Sequence, residues 1–151
     1  MSPAFRVIAA AAIMTLTTVP KAQLQEQTES KAPVFSLHGD AAIVTVLIKP
    51  DKTADFELVL SRLKEALAKS DNPTRQKQAA GWRIFKSEQL AQGNAVYVMR
   101  IDPVVKGEEY DITRLIAEVF PIEVQDLFVK YKDAFMGRGV TELTPLMSMA
   151  P

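Results

Sequence analysis

Arg100 and Asp102 have the types and spacing that come nearest to a ligand-binding pair in this sequence. Two residues apart on a predicted strand, they point to the same face, where the guanidinium can bind a ligand's carboxylate through two hydrogen bonds. The alternative is that the two charges pair with each other or with solvent. Trp82 and Tyr97 add rings with polar tips, which suit an apolar or aromatic ligand or, for Trp82, a core or dimer interface. These four residues form the predicted ligand cavity, and none is assigned a catalytic role.

The other reactive side chains lack the partners that catalysis or metal binding requires. His38 is the only histidine and the chain has no cysteine, so thiolate chemistry and a histidine-based zinc site are excluded. His38 has no defined partner as a general base, and the alternative is a solvated turn residue. The acidic residues 108–111 (EEYD) lack the spacing of a calcium loop and suit a solvated approach to a helix N-terminus. We predict no metal and no cofactor, and the sequence favours a non-catalytic protein.

The N-terminus has the three parts of a secretory signal peptide. Arg6 precedes an apolar run at residues 7–19, which is shorter than the roughly 20 residues that span a bilayer. The best cleavage point follows Ala22, although Pro20 stands where a small residue is preferred. We therefore expect a signal peptide over residues 1–22, export to the periplasm or medium, and no stable membrane span after cleavage. The 18 basic and 18 acidic residues cancel, which argues against nucleic-acid binding.

The remaining chain alternates predicted strands and helices. A polar linker spans residues 23–40, with a docking point at Val34, Phe35 and Leu37, and the domain spans 41–146, followed by a tail at 147–151. Strands are predicted at 41–49, 81–88, 94–102 and 140–146 from their β-branched and alternating residues. A helix capped by Thr53 carries an apolar stripe from Phe56 to Leu67. A polar connector, with room for one helical turn, covers 74–80. Asp111 caps the next helix, Pro121 separates it from another, and Gly137 and Gly139 end that last helix.

This order, β-α-β-β-α-α-β, predicts an α+β fold of the ferredoxin-like, split βαβ type with an antiparallel sheet. The helices of such a fold cover one face of the sheet. The first and third strands are nevertheless apolar on both faces, as Val44 and Val46 against Ile43 and Leu47 show. A bare apolar face of this size is an association surface. Its cover is a second copy of the sheet, a small ligand or the N-terminal segment around Phe35.

Residues 41–135, by element order and two-faced sheet, resemble the dimeric α–β barrel superfamily, in which two such sheets pack around a cavity. The segments Ala79-Ala80-Gly81-Trp82 and Asp102-Pro103 are similar to those of small exported bacterial proteins of unknown function. The superfamily includes cofactor-free monooxygenases, isomerases and haem enzymes, and the fold does not select among them. A haem enzyme needs a proximal histidine on the domain, whereas His38 lies in the linker.

Two hypotheses follow. The first is an exported, non-catalytic domain of unknown activity that forms a homodimer through its sheet face and holds a small apolar or aromatic ligand. The alternative is a cofactor-independent monooxygenase or isomerase of the barrel type. The first is favoured because the sheet face needs a cover in either case, whereas catalysis needs polar groups that the sequence does not display.

Overall fold

The chain folds as alternating helices and strands around one antiparallel sheet. The structure, a computed structural model, describes residues 32–149, so the predicted signal peptide and residues 23–31 of the predicted linker lie outside the described residues. The elements are β1 (Ala41–Ile48), α1 (Thr53–Lys69), α2 (Pro73–Gly81), β2 (Trp82–Lys86), β3 (Ala95–Ile101), α3 (Ile112–Val119), α4 (Val124–Ala134) and β4 (Phe135–Leu143). A short 3-10 turn, Pro50–Lys52, leads from β1 into α1.

The sheet order is β2-β3-β1-β4, and neighbouring strands are antiparallel. β1 and β3 lie at the centre and β2 and β4 at the edges, as the apolar character of the two central strands requires. This arrangement is the ferredoxin-like fold, which confirms the predicted α+β class. The predicted order of elements is also confirmed, with α2 as an additional helix.

The core lies between the helices and one face of the sheet. Along β1, every second residue from Ala42 to Ile48 is buried, and the residues between them are partly exposed. The predicted stripe of α1 supplies the opposite side, with Phe56, Val59 and Leu63 buried. The Phe56 ring meets Tyr97 of β3 edge-on, with ring centroids 4.8 Å apart, a geometry that aromatic pairs favour. α1 is thus the central helix of the core and also packs against α2, α3 and α4.

The predicted polar connector at 74–80 is helical over its whole length and not over a single turn, because these residues all belong to α2. Asn72 caps this helix, and its side chain accepts a hydrogen bond of 2.9 Å from the backbone N–H of Thr74. Arg75 and Gln78 are buried although they are polar. An apolar stripe is therefore missing from the sequence, since hydrogen-bonded polar groups occupy the inner face of the helix.

The predicted helix end at Gly137 and Gly139 is also wrong. α4 ends at Ala134, and β4 begins at Phe135 and contains both glycines. The backbone N–H of Lys49 donates to the carbonyl of Ala134 at 2.9 Å, which fixes the turn from α4 into the sheet. β4 ends at Leu143, three residues before the predicted limit of the edge strand. Thr53 is the first residue of α1 and not its cap.

Residues 34–40, at the end of the predicted linker, pack against the loop that follows β3. The carbonyl of Phe35 accepts from the N–H of Tyr110 at 2.7 Å, and that of Leu37 accepts from Gly107 at 2.9 Å. Leu37 is fully buried, and the Arg138 guanidinium lies over the Phe35 ring at 4.0 Å from its centroid. The segment therefore covers part of the helix side of the sheet. Of the predicted docking point, Phe35 and Leu37 pack against the core, whereas the side chain of Val34 is exposed.

Candidate functional site

The face of the sheet opposite the helices carries an apolar surface, which we call the open face. Strand register defines its rows, because directly paired residues point to the same side of a sheet. Cross-strand neighbours make up its three rows: Arg83, Arg100, Ile43 and Thr141; then Phe85, Val98, Thr45 and Gly139; then Val96, Leu47 and Gly137. Apolar side chains dominate the second and third rows, and the two glycines leave the β4 side bare. The open face therefore combines an apolar centre with a shallow edge.

Arg100 and Asp102 lie at one end of the open face and pair with each other. One guanidinium nitrogen of Arg100 donates to a carboxylate oxygen of Asp102 at 2.8 Å, and both side chains are about half exposed. This pairing is the alternative to ligand binding that the sequence left open, in which the two charges pair with each other. A pair so exposed contributes about 0–1 kcal/mol, so the two side chains remain available to a molecule that covers this face.

Trp82 and Tyr97 point to the other side of the sheet, into the helix-covered layer. Tyr97 pairs in register with Val46 and Trp82 with Ile101, and all four are buried. The structure therefore divides the four residues of the predicted ligand cavity into two pairs on opposite faces.

Beside Trp82 and Tyr97, α1 and the edge strand β2 enclose a groove of about 790 Å³. This volume lies within the range of small-molecule sites, about 300–1,000 Å³. Its walls are mostly apolar and include Leu60, Leu63, Leu67, Trp82 and Ile84. The groove exists because β2 extends past the cover that α1 gives to the central strands, as the 36% exposure of Ile84 shows.

A polar cluster of Glu57, Lys86 and Tyr97 closes one end of the groove. The same carboxylate oxygen of Glu57 accepts from the Lys86 ammonium at 2.7 Å and from the Tyr97 phenol at 2.7 Å. The bond from Lys86, followed by that from Tyr97, holds the pKa of Glu57 below its usual value. Burial and the bond to Glu57 raise the pKa of Tyr97. The cluster is thus a charged pair with a neutral phenol at neutral pH, and it offers no activated base.

The indole nitrogen of Trp82 is buried without a hydrogen-bond partner among the described residues. Trp82 is 8% exposed, and its ring lies 5.4 Å from that of Tyr110 at a tilt of 59°. Buried N–H groups normally have a hydrogen-bond partner. The indole N–H of Trp82 is therefore a polar donor in the wall between the groove and the core, and no acceptor among the described residues satisfies it.

Ala79-Ala80-Gly81-Trp82 and Asp102-Pro103, which carried the sequence resemblance, lie against each other. The N–H of Asp102 donates to the carbonyl of Gly81 at 2.9 Å. A Cβ atom at Gly81 would lie 2.6 Å from the carbonyl oxygen of Pro103, so only glycine fits the present backbone. The two segments together fix where β2 begins beside β3.

Glu109 is a structural residue that the sequence did not reveal. Its carboxylate accepts from the backbone N–H groups of Val34 (2.8 Å), Phe35 (3.0 Å) and Asp111 (2.9 Å), and Arg114 approaches it at 3.4 Å. Burial alone would raise the pKa of Glu109, but these N–H groups and the charge of Arg114 outweigh it and lower that pKa. The interpretation of 108–111 as a solvated approach is therefore wrong for this residue. Asp111, two residues after Glu109, caps α3 as predicted and accepts from the N–H of Arg114 at 3.0 Å.

The remaining candidates stay at the surface. His38 lies 3.2 Å from the Ser36 hydroxyl through its ring Nε2, and its backbone N–H donates to Glu142. Within residues 32–149, no group of three or more histidine, cysteine, aspartate or glutamate side chains could hold a metal ion. None of the helices in this range has the length and apolar character needed to cross a membrane.

No family model matches this sequence, and no curated protein matches it. Among solved structures, it is similar to the crystal structure, at 1.50 Å resolution, of a dimeric ferredoxin-like protein of unknown function from Thermobifida fusca YX. The two chains are 12% identical, the match covers 74% of this chain and 96% of the other, and the TM-score is 0.36. The fold of the present chain is defined by its own strand order and connections.

Proposed function

We propose that this protein is an exported, non-catalytic domain that works as a homodimer formed by its open faces and holds a small apolar ligand. The observation that carries the proposal is the open face itself. Four strands about 4.8 Å apart and about seven residues long give it a flat footprint of about 19 Å by 24 Å. That area is about 450 Å² and includes the polar first row. The second and third rows, about 300 Å², reach the lower end of the range of the largest apolar patches on monomeric proteins, about 300–600 Å², which are often functional.

A second copy is the occupant that best fits the distribution of charge. A two-fold interface must be complementary to itself, because the same patch meets its own copy. The open face has an apolar centre around Val98 and Leu47, while Arg83, Arg100 and Asp102 supply charges of both signs at one end. Apolar centres can pack at the usual sheet spacing of about 10 Å, and the mixed charges avoid uniform repulsion.

Export rests on the N-terminal pattern of Arg6, the apolar run at 7–19 and Ala22. Cleavage after Ala22 predicts an exported protein that begins at Gln23. Mass spectrometry of the fractionated host tests this directly. A mature protein that retains Met1 contradicts export through a cleaved signal.

Val98→Glu tests the dimer. Val98 lies in the middle row of the open face and is only partly buried in a single copy. The variant therefore folds as a monomer but places two carboxylates in the apolar centre of the dimer interface, where removing each charge from water costs several kcal/mol. We expect light scattering to give the mass of two chains for the wild type and of one chain for Val98→Glu.

Ile122→Glu is the matched control. Ile122 is 93% exposed and lies in the turn between α3 and α4, so the same charge there leaves the dimer intact. A wild type that stays monomeric at all concentrations, or a dimer that survives Val98→Glu, contradicts the proposal.

A further inference from the structure

The groove between α1 and β2 lies on the helix side of the sheet, away from the open face. Its lining includes every residue of β2 from Trp82 to Lys86, four residue steps, which corresponds to about 13 Å. Leu60, Leu67 and Ile84 line it between a mostly apolar end at Trp82 and the Glu57–Lys86–Tyr97 cluster. The shape therefore suits an elongated apolar molecule.

The charged residues that border the groove indicate which class of apolar molecule it favours. Three cations border the groove, Lys64, Arg83 and Lys86, and one carboxylate, Glu57, is already bound to Lys86. By strand register Arg83 points to the open face, and its guanidinium donates to the backbone carbonyls of Ala80 and Trp82. Among residues 32–149, Lys64 has no carboxylate partner. Within this part of the chain, the edge of the apolar groove thus carries one positive charge, that of Lys64, which no carboxylate neutralises.

We propose that this groove binds an elongated apolar carboxylate, with its apolar body against Leu60, Leu67 and Ile84 and its carboxylate at Lys64. The inference rests on the proposed function in taking the domain to be a ligand-binding one, and it gives that ligand a site and a chemical class. Burial of the apolar body supplies affinity through the hydrophobic effect. Lys64 supplies selectivity, because hydrogen bonds between charged groups are about twice as strong as neutral ones.

The protein contains one tryptophan, Trp82, so its fluorescence reports directly on the wall of the groove. We would titrate the full chain with decanoate below its micelle-forming concentration, and with decanol and decyltrimethylammonium as neutral and cationic probes. Decanoate produces a saturable change in Trp82 emission. Its dissociation constant is about tenfold or more below those of the other two, the factor that one charge-assisted hydrogen bond provides.

Lys64→Gln tests the charge at an exposed position of α1, and Lys132→Gln, an equally exposed change on α4, is its control. The first weakens decanoate binding by about fivefold or more and leaves decanol binding unchanged, whereas the second changes neither. Ala68→Phe fills the groove and abolishes binding, while Ala54→Phe, also exposed on α1 but outside the groove, does not. Far-UV circular dichroism confirms that each variant is folded.

Three results overturn the inference: equal affinity for decanoate and decanol, equal effects of Lys64→Gln and Lys132→Gln, or no saturable change. Exposed Leu146, Met147 and Met149 follow β4. If only a chain ending at Leu143 binds decanoate, then the protein's own tail occupies the groove and the inference is wrong. Because the groove lies within one copy, Val98→Glu binds decanoate normally, so failure of the dimer and failure of the groove are distinguishable.

Discussion

The carboxylate of Glu109 holds residues 34–35 against the domain, and Glu109→Gln measures what this contact contributes. One carboxylate oxygen accepts from Phe35 and Asp111, and the other accepts from Val34 and contacts Arg114. A glutamine keeps one acceptor oxygen but presents an N–H₂ group to the donors on the other side. Hydrogen bonds to a charged group are worth about 1.5–3 kcal/mol, so we expect a loss of about 2 kcal/mol at pH 7.

The pH dependence provides the sharper test. The pKa of Glu109 is lower in the folded state than its usual value, and the unfolded value is about 4.3. The charge of Glu109 therefore stabilises the fold fully above about pH 5, and this contribution is lost as the pH falls through the folded pKa. The difference in stability between wild type and Glu109→Gln shrinks over that range.

Thermal unfolding followed by circular dichroism at pH 7 and pH 3 measures both effects. A domain of this size loses about 4 °C in Tm per kcal/mol, so we expect a Tm lower by about 8 °C at pH 7 and a much smaller difference at pH 3. Glu108→Gln is the control, since the Glu108 side chain is 41% exposed and, among residues 32–149, its carboxylate pairs with Arg75 alone, at 3.4 Å. If Glu109→Gln and Glu108→Gln have the same Tm at pH 7, then Glu109 does not hold residues 34–35 against the domain as its contacts indicate.

Three further substitutions test other contacts. Gly81→Ala places a Cβ 2.6 Å from a backbone carbonyl and should cost about 1–3 kcal/mol in urea unfolding, whereas Gly139→Ala, with nothing within 4 Å, should cost under about 1 kcal/mol. Glu118→Gln removes the charge that buried Arg75 meets at 2.9 and 2.8 Å; a loss of about 1–3 kcal/mol is expected, and an unchanged urea midpoint would contradict it. Tyr97→Phe should raise the pKa of Glu57, because the hydrogen bond from the Tyr97 phenol lowers that pKa. NMR titration measures this pKa, and an unchanged value would mean that the bond is absent in solution.

The central part of the fold could be predicted because its residues follow simple patterns. The two-faced apolar strands β1 and β3 place themselves at the centre of the sheet, and the stripe that begins at Phe56 defines the inner side of α1. Asp111 is a good cap by residue type, and its side chain forms the expected bond. In each case the local sequence pattern and the packing of the folded domain favour the same structure.

The predictions that are wrong concern segments whose structure depends on residues far away in the sequence. α2 has a polar inner face because Arg75 reaches Glu118 and Gln78 donates to the carbonyl of Glu109 at 2.8 Å, and no periodicity within the helix shows this. Gly137 is a typical helix-ending residue, yet it lies in a strand because β1 provides the ladder beside it.

The candidate sites show the same division. The open face could be predicted, since it follows from strand alternation alone. The separation of Tyr97 from Arg100 and Asp102 follows from alternation along β3 alone, whereas the side on which Trp82 lies depends on the register of β2 against β3. The groove needs the position of α1 over the sheet, which packing sets and the sequence pattern does not.

Cross-linking across the open face tests most directly whether two copies pair through this face. The chain has no cysteine, so a single introduced cysteine is the only thiol that can react. Thr45→Cys places a thiol in the middle row of the face, beside Val98 and Gly139. Ile122→Cys places one on the turn between α3 and α4. With a short bismaleimide that spans the spacing of about 10 Å between packed sheets, we expect Thr45→Cys to give a covalent dimer and Ile122→Cys to remain a single chain. No cross-linking at Thr45→Cys, or equal cross-linking at both positions, would contradict a dimer formed by the open face.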